Sequence, residues 1–182
     1  MWPEAPRADG GTADLRKSFV QRGSGYVAAG RHSPEREVGF VAASDTERRL
    51  TMGYLFPVSV FPWLTLWEEN CARTEMPWNG AVHARGLEFG TTPFPIGKEA
   101  ADASGPILGL PTALRMEGHA TQDAPWMLFA VETPQGCDDV RDVTLGADEI
   151  ILHFQTGIVR LPAAGAAAFL RRSQDRKKEE SQ

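Results

Sequence analysis

The stretch FPVSVFPWLTLWEENCARTEMPWNGAVHARGLEFGTTPFP, residues 56–95, holds three of the five tryptophans and four of the nine phenylalanines. Two strand-like runs in it flank a polar loop, and both carry acidic residues among bulky apolar ones. In a strand, side chains two apart share a face. In the second run, Glu88 therefore shares a face with Ala84 and Gly86, while Arg85, Leu87 and Phe89 point the other way. Small neighbours leave open space beside one carboxylate, which suits a ligand. The competing reading is a carboxylate paired with a nearby arginine. In the first run, Trp63, Thr65, Trp67 and Glu69 share one face, and Leu64, Leu66 and Glu68 the other. A carboxylate among aromatic residues is costly to bury, so each of these acids needs a partner or a task. Indole plates stack on the C–H faces of sugar rings while carboxylates and amides take hydroxyls; equally, both indoles fit an apolar core.

Arg85-Gly86-Leu87-Glu88-Phe89-Gly90-Thr91-Thr92-Pro93-Phe94-Pro95 resembles the galactose mutarotase-like superfamily around its catalytic glutamate, where a strand with a glycine, an apolar residue and that glutamate precedes a proline-containing turn. WLTLWEEN and MPWNG are similar to a bacterial branch of aldose 1-epimerase-related proteins, and the resemblance runs roughly from Trp2 to Pro162. It implies an antiparallel β-sandwich forming the C-terminal portion of a larger supersandwich. It also implies an aldose 1-epimerase-like isomerase that exchanges sugar anomers by acid–base ring opening. Glu88 would be the base. Trp67 or Trp78 would be the sugar platform, with Asn70 and Arg85 as hydroxyl partners. The acid histidines of the family have no counterpart here, so a non-catalytic carbohydrate-binding or vestigial domain is the alternative.

At 182 residues, a single domain is expected. A charged content of 24% is ordinary for a globular chain, and a net charge of −5 with no basic stripe argues against a nucleic-acid partner. No run approaches the roughly 20 apolar residues of a membrane span, and MWPEAPRADGG lacks the charged and apolar regions of a signal peptide. A cytoplasmic protein is therefore expected. Cys71 and Cys137 form no CxxC pair, which favours reduced thiols and neither a metal nor another cofactor.

Residues 1–24 read as an irregular lead-in, 25–162 as the sandwich, and 163–182 as a short helix (Ala163–Arg172) and a polar tail. Expected strands are Tyr26–Ala29, Glu37–Ala43 and Arg49–Phe56, followed by the two runs above. Asn79-Gly80 suits a tight turn between those runs. Thr112–Thr121 alternates like a half-buried strand. Trp126–Val131 is continuously apolar, as in a strand buried on both faces. Glu149–Phe154 and Gly157–Leu161 form a last hairpin through Gln155-Thr156. His32 reads as a surface histidine in a turn, and His119 as part of a polar face. His83 lies off the Glu88 face. Exposed apolar sheet faces or edges are expected to favour a homodimer.

Overall fold

The computed structural model describes residues 3–7 and 9–179, with side chains up to Arg172. Met1, Trp2, Ala8 and the last three residues of the expected tail lie outside this set. The described residues form eleven strands in antiparallel sheets, with two helices, in a sandwich-like arrangement. Among the described residues, no helix is long and apolar enough to cross a membrane.

The lead-in is more ordered than its composition suggests. β1 (Glu4–Pro6) and β2 (Thr12–Asp14) form a small hairpin. Three sheets of three strands follow. The first orders β3 (Ser24–Arg31), β6 (Trp63–Asn70) and β7 (His83–Gly90), with β6 central. The second orders β4 (Val38–Asp45), β5 (Leu50–Pro57) and β8 (Met127–Glu132). The third orders β11 (Ile158–Pro162), β10 (Glu149–Phe154) and β9 (Val140–Leu145). Phe154 N–H donates to Gly157 O at 3.0 Å, closing the β10–β11 hairpin where the turn residues placed it.

The core lies between the second and third sheets. Leu55, Phe129 and Val131 meet Val143, Ile150, Leu152 and Phe154, and Ala166 and Leu170 of α2 (Ala166–Glu179) close the end. Gly53 makes this packing possible. A Cβ there would stand 2.5 Å from both Phe129 Cζ and Val41 O. Leu152 is fully buried, so Leu152→Ala is expected to destabilise by about 3 kcal/mol. The first sheet joins the second through aromatic rings instead. Phe89 of β7 stacks on Phe56 of β5 with centroids 4.5 Å apart, and Phe61 meets it edge-on at 4.9 Å. Tyr54 and Trp126 complete the cluster.

Several expectations are corrected. Thr112–Thr121 is no strand. Its alternation has no neighbouring strand to pair with, and Leu114 and Met116 are exposed. Only Thr112 is anchored, by its hydroxyl donating to Ala101 O at 2.7 Å. Helix is not confined to the C-terminus. α1 (Lys98–Ser104) forms in the connection between β7 and β8, where Lys98 and Asp102 pair one turn apart and Ala101 is buried. α2 runs beyond the expected Arg172 to Glu179, into the expected polar tail. β8 is an edge strand buried on one face only: Phe129 and Val131 point inward, while Leu128 and Trp126 are about half exposed. His32 is half-buried rather than superficial. Its ring packs on Phe40 and Phe56, with Nε2 2.8 Å from Phe40 O and 3.0 Å from Phe40 N.

Candidate functional site

The register of the first sheet decides which residues meet. Thr65 lies opposite Glu88, Trp67 opposite Gly86, and Glu69 opposite Ala84. Directly opposed residues of an antiparallel pair share a face. Trp67, Glu69, Gly86 and Glu88 therefore belong to one surface, with Gly25, Val27 and Ala29 of β3 continuing it. Gly86 lets two of these side chains converge. A Cβ on Gly86 would stand 2.9 Å from Glu88 Oε1 and 3.4 Å from Trp67 Cε3. The carboxylate thus lies down over the glycine beside the indole. Glu88 is exposed and makes no hydrogen bond or ion pair with any described residue.

The loop after β6 completes the surface. Cys71 N–H donates to Val82 O at 2.8 Å at its neck, and Gly80 N–H to Arg73 O at 2.8 Å inside it. Asn79 and Gly80 both take positive φ, as their turn chemistry demands. The loop brings Trp78 back over the sheet, its ring 6.0 Å from that of Trp67 and inclined to it by 65°. Arg73 stands over both indoles, its guanidinium carbon 4.7 Å from the Trp78 centroid and 5.6 Å from Trp67. Glu69, 2% exposed, holds this arrangement from below. Its Oε1 accepts from Ala72 N–H at 2.6 Å and Arg73 N–H at 3.0 Å, and its Oε2 lies 3.6 Å from the Arg73 guanidinium. Arg73 was not singled out from sequence. The signal was its i, i+4 spacing from Glu69 between two tryptophans, but a loop residue's direction is not set by strand alternation.

The other face of the sheet is a structural layer. Arg85 donates to Glu68 Oε2, with Nη2 at 2.8 Å and Nε at 3.1 Å. The same guanidinium donates to Leu15 O, Lys17 O and the Tyr26 hydroxyl, and Glu68 Oε1 accepts Phe19 N–H at 3.1 Å. This network fastens the lead-in to the sheet. Burial pushes the Tyr26 phenol above its ordinary range, with the Glu68 charge adding to the effect and the Arg85 charge opposing it. Arg85 is therefore corrected as a hydroxyl partner: its guanidinium is held on the face away from Glu88. Asn70 is corrected for the same reason. It is 1% exposed, stands opposite His83, and faces away from Trp67. Of the five expected site residues, Glu88, Trp67 and Trp78 come together and Asn70 and Arg85 do not join them.

The histidines also lie elsewhere. His83 is on the Arg85 face, 3.3 Å from Cys71 Sγ. His153 Nε2 is 3.0 Å from Thr144 Oγ1, and His119 lies in an exposed turn at φ 69°. Among the described residues, no group of three or more His, Cys, Asp or Glu side chains is arranged to hold a metal ion. The surface thus offers two indoles, one guanidinium and one unpartnered carboxylate. That set can stack on apolar ring faces and exchange hydrogen bonds with hydroxyls. No protein family, no characterised protein and no solved structure matches the chain.

Proposed function

We propose that this chain binds carbohydrate on the face formed by Trp67, Trp78, Arg73 and Glu88. One observation carries the reading: Glu88, alone among the three acids of β6 and β7, has no hydrogen-bond or ion-pair partner among the described residues, and it lies beside the Trp67 indole. Sugar sites combine apolar walls with a few placed polar groups, and this surface has both. Glu88 accepts hydroxyl protons, Arg73 donates, and the indoles take the C–H faces of a ring. The test is a binding titration of neutral and acidic sugars followed by tryptophan fluorescence and by shifts of the indole N–H resonances. Trp78→Ala is expected to weaken binding by about fivefold, since an aromatic contact contributes on the order of 1 kcal/mol beyond area burial. Unchanged titration curves for Trp67→Ala, Trp78→Ala and Glu88→Ala would refute it.

The aldose 1-epimerase-like isomerase is the second reading, with the galactose mutarotase-like resemblance behind it. What favours it is the same exposed carboxylate, free to take the proton of an anomeric hydroxyl. Ring opening also needs an acid at the ring oxygen. Glu69 is committed as an acceptor to two backbone N–H groups, and His83 and Tyr26 lie on the opposite face. Binding without appreciable anomer exchange is therefore the expected behaviour, measured by exchange spectroscopy on a panel of aldoses.

A further inference from the structure

We infer that Cys71 is a reactive thiol, activated by His83, that forms a mixed disulfide with low-molecular-weight disulfides. The pair lies at the neck of the 71–82 loop, on the sheet face away from Glu88. Cys71 Sγ is 3.3 Å from His83 Nε2, within proton-transfer reach. Cys71 follows the end of β6 at φ 58°, a left-handed conformation uncommon for a residue with a Cβ, and its thiol meets His83 at the start of β7. The ring of Phe19 packs edge-on against His83 at 5.5 Å and holds the imidazole in place. His83 is exposed, so an incoming small molecule can approach from the imidazole side.

A third group belongs to the cluster. Asn70 immediately precedes Cys71 and stands directly across from His83 in the register. Its Nδ2 is buried and has no hydrogen-bond acceptor. A buried amide donor without a partner is unfavourable, so an acceptor supplied by an adduct would be stabilised beside it.

The chemistry balances without a further reactant. His83 Nε2 takes the Sγ proton and leaves a thiolate. The thiolate attacks one sulfur of the small disulfide; the new S–S bond forms as the old one breaks. The departing thiolate takes the proton back from His83, so the small disulfide leaves as one free thiol and one protein-bound half. The second cysteine is a control built into the fold. Cys137 is 6% exposed against 7% for Cys71, but its sulfur faces Thr156 Oγ1 at 3.3 Å and no imidazole.

The experiment incubates the full chain with oxidised glutathione at neutral pH and follows each cysteine by peptide mapping and mass. With an imidazole base 3.3 Å from its sulfur and none beside Cys137, Cys71 is expected to react at least about tenfold faster than Cys137. His83→Gln should bring Cys71 down to the Cys137 rate at neutral pH and release it again at alkaline pH, where hydroxide replaces the imidazole. Equal rates at the two cysteines in the unmodified chain overturn the inference whether or not the variant folds. So does a Cys71 rate that His83→Gln leaves unchanged.

Discussion

Arg85 Nη2 lies 2.8 Å from Glu68 Oε2, on the face of the first sheet turned away from Glu88. The pairing determines how the acids of this sheet divide their work. Arg85 is the arginine nearest to Glu88 in sequence, and the strand alternation that separates them also delivers Arg85 to Glu68. Glu68 and Arg85 become a latch for the lead-in, and Glu88 keeps an open carboxylate.

The two glutamates should respond very differently to the same substitution. Glu68→Gln leaves the Arg85 guanidinium without its charged partner in a nearly buried network and is expected to destabilise by on the order of 3 kcal/mol. Glu88→Gln removes an exposed, unpartnered charge and should change stability by less than about 0.5 kcal/mol. Urea midpoints with an unchanged denaturant slope check both values. Similar losses for the two variants would show that Glu88 has a structural partner after all.

Gly86→Ala separates the site from the fold. The added methyl meets the flexible end of Glu88 at 2.9 Å and the edge of Trp67 at 3.4 Å, so the carboxylate must move. Thermal stability should stay within about 0.5 kcal/mol of the parent, because a surface strand position with ordinary φ gains a favourable restriction of the unfolded chain. Sugar affinity should fall nevertheless, in the same sense as for Glu88→Ala. A calorimetric titration beside a melting curve distinguishes the two effects.

His32 should make the fold sensitive to mild acid. Burial is the main cause of its lowered pKa; the Phe40 carbonyl pulls the other way, and the Arg36 charge adds to the lowering. The unfolded chain takes up this proton below about pH 6.5 and the folded chain does not. Stability is therefore full above that value and declines as pH falls from it toward the folded pKa. The aspartates act in a separate, more acidic window: Asp14, hydrogen-bonded by the Arg16 side chain, is held at about 2. Urea midpoints measured across the weakly acidic range should fall in the parent and flatten in His32→Gln. A parent profile that is level there would remove the assignment.

The part of the second sheet's Tyr54 face that the Phe89 cluster leaves uncovered should cause self-association. Leu50, Met52, Leu128 and Trp126 are 40%, 44%, 54% and 49% exposed, and the register places Met52 opposite Ala130 and Tyr54 opposite Leu128 on that face. Among the described residues, β8 also has a strand partner on one side only. Both features favour contact between copies. Light scattering should show mass rising with concentration, and Leu128→Lys should suppress it with little change in the melting temperature. A single monomer mass at all concentrations would exclude this face as an interface.

The sequence by itself determined the class of fold and the separation of Glu88 from Arg85. Short runs with a two-residue period, broken by glycine and proline, dictate antiparallel strands. That same period assigns every residue of β6 and β7 to a face, because it is a property of the extended backbone alone. It also placed the last hairpin at Gln155-Thr156. What only the tertiary structure decided is which alternating or apolar run finds a neighbour. Thr112–Thr121 alternates yet pairs with nothing, whereas β8 is apolar on both faces yet lies at an edge; strand formation and burial are satisfied by a partner chain segment, which periodicity does not name. Trp78 reaches Trp67 because the 71–82 loop folds back. Arg73 enters the site, and Asn70 leaves it, for reasons of register and loop closure. Cys71 and His83 stand twelve positions apart in the chain and meet only because the strands they bound are paired. Those are long-range geometric facts, set by packing and hydrogen-bond closure and not by local pattern.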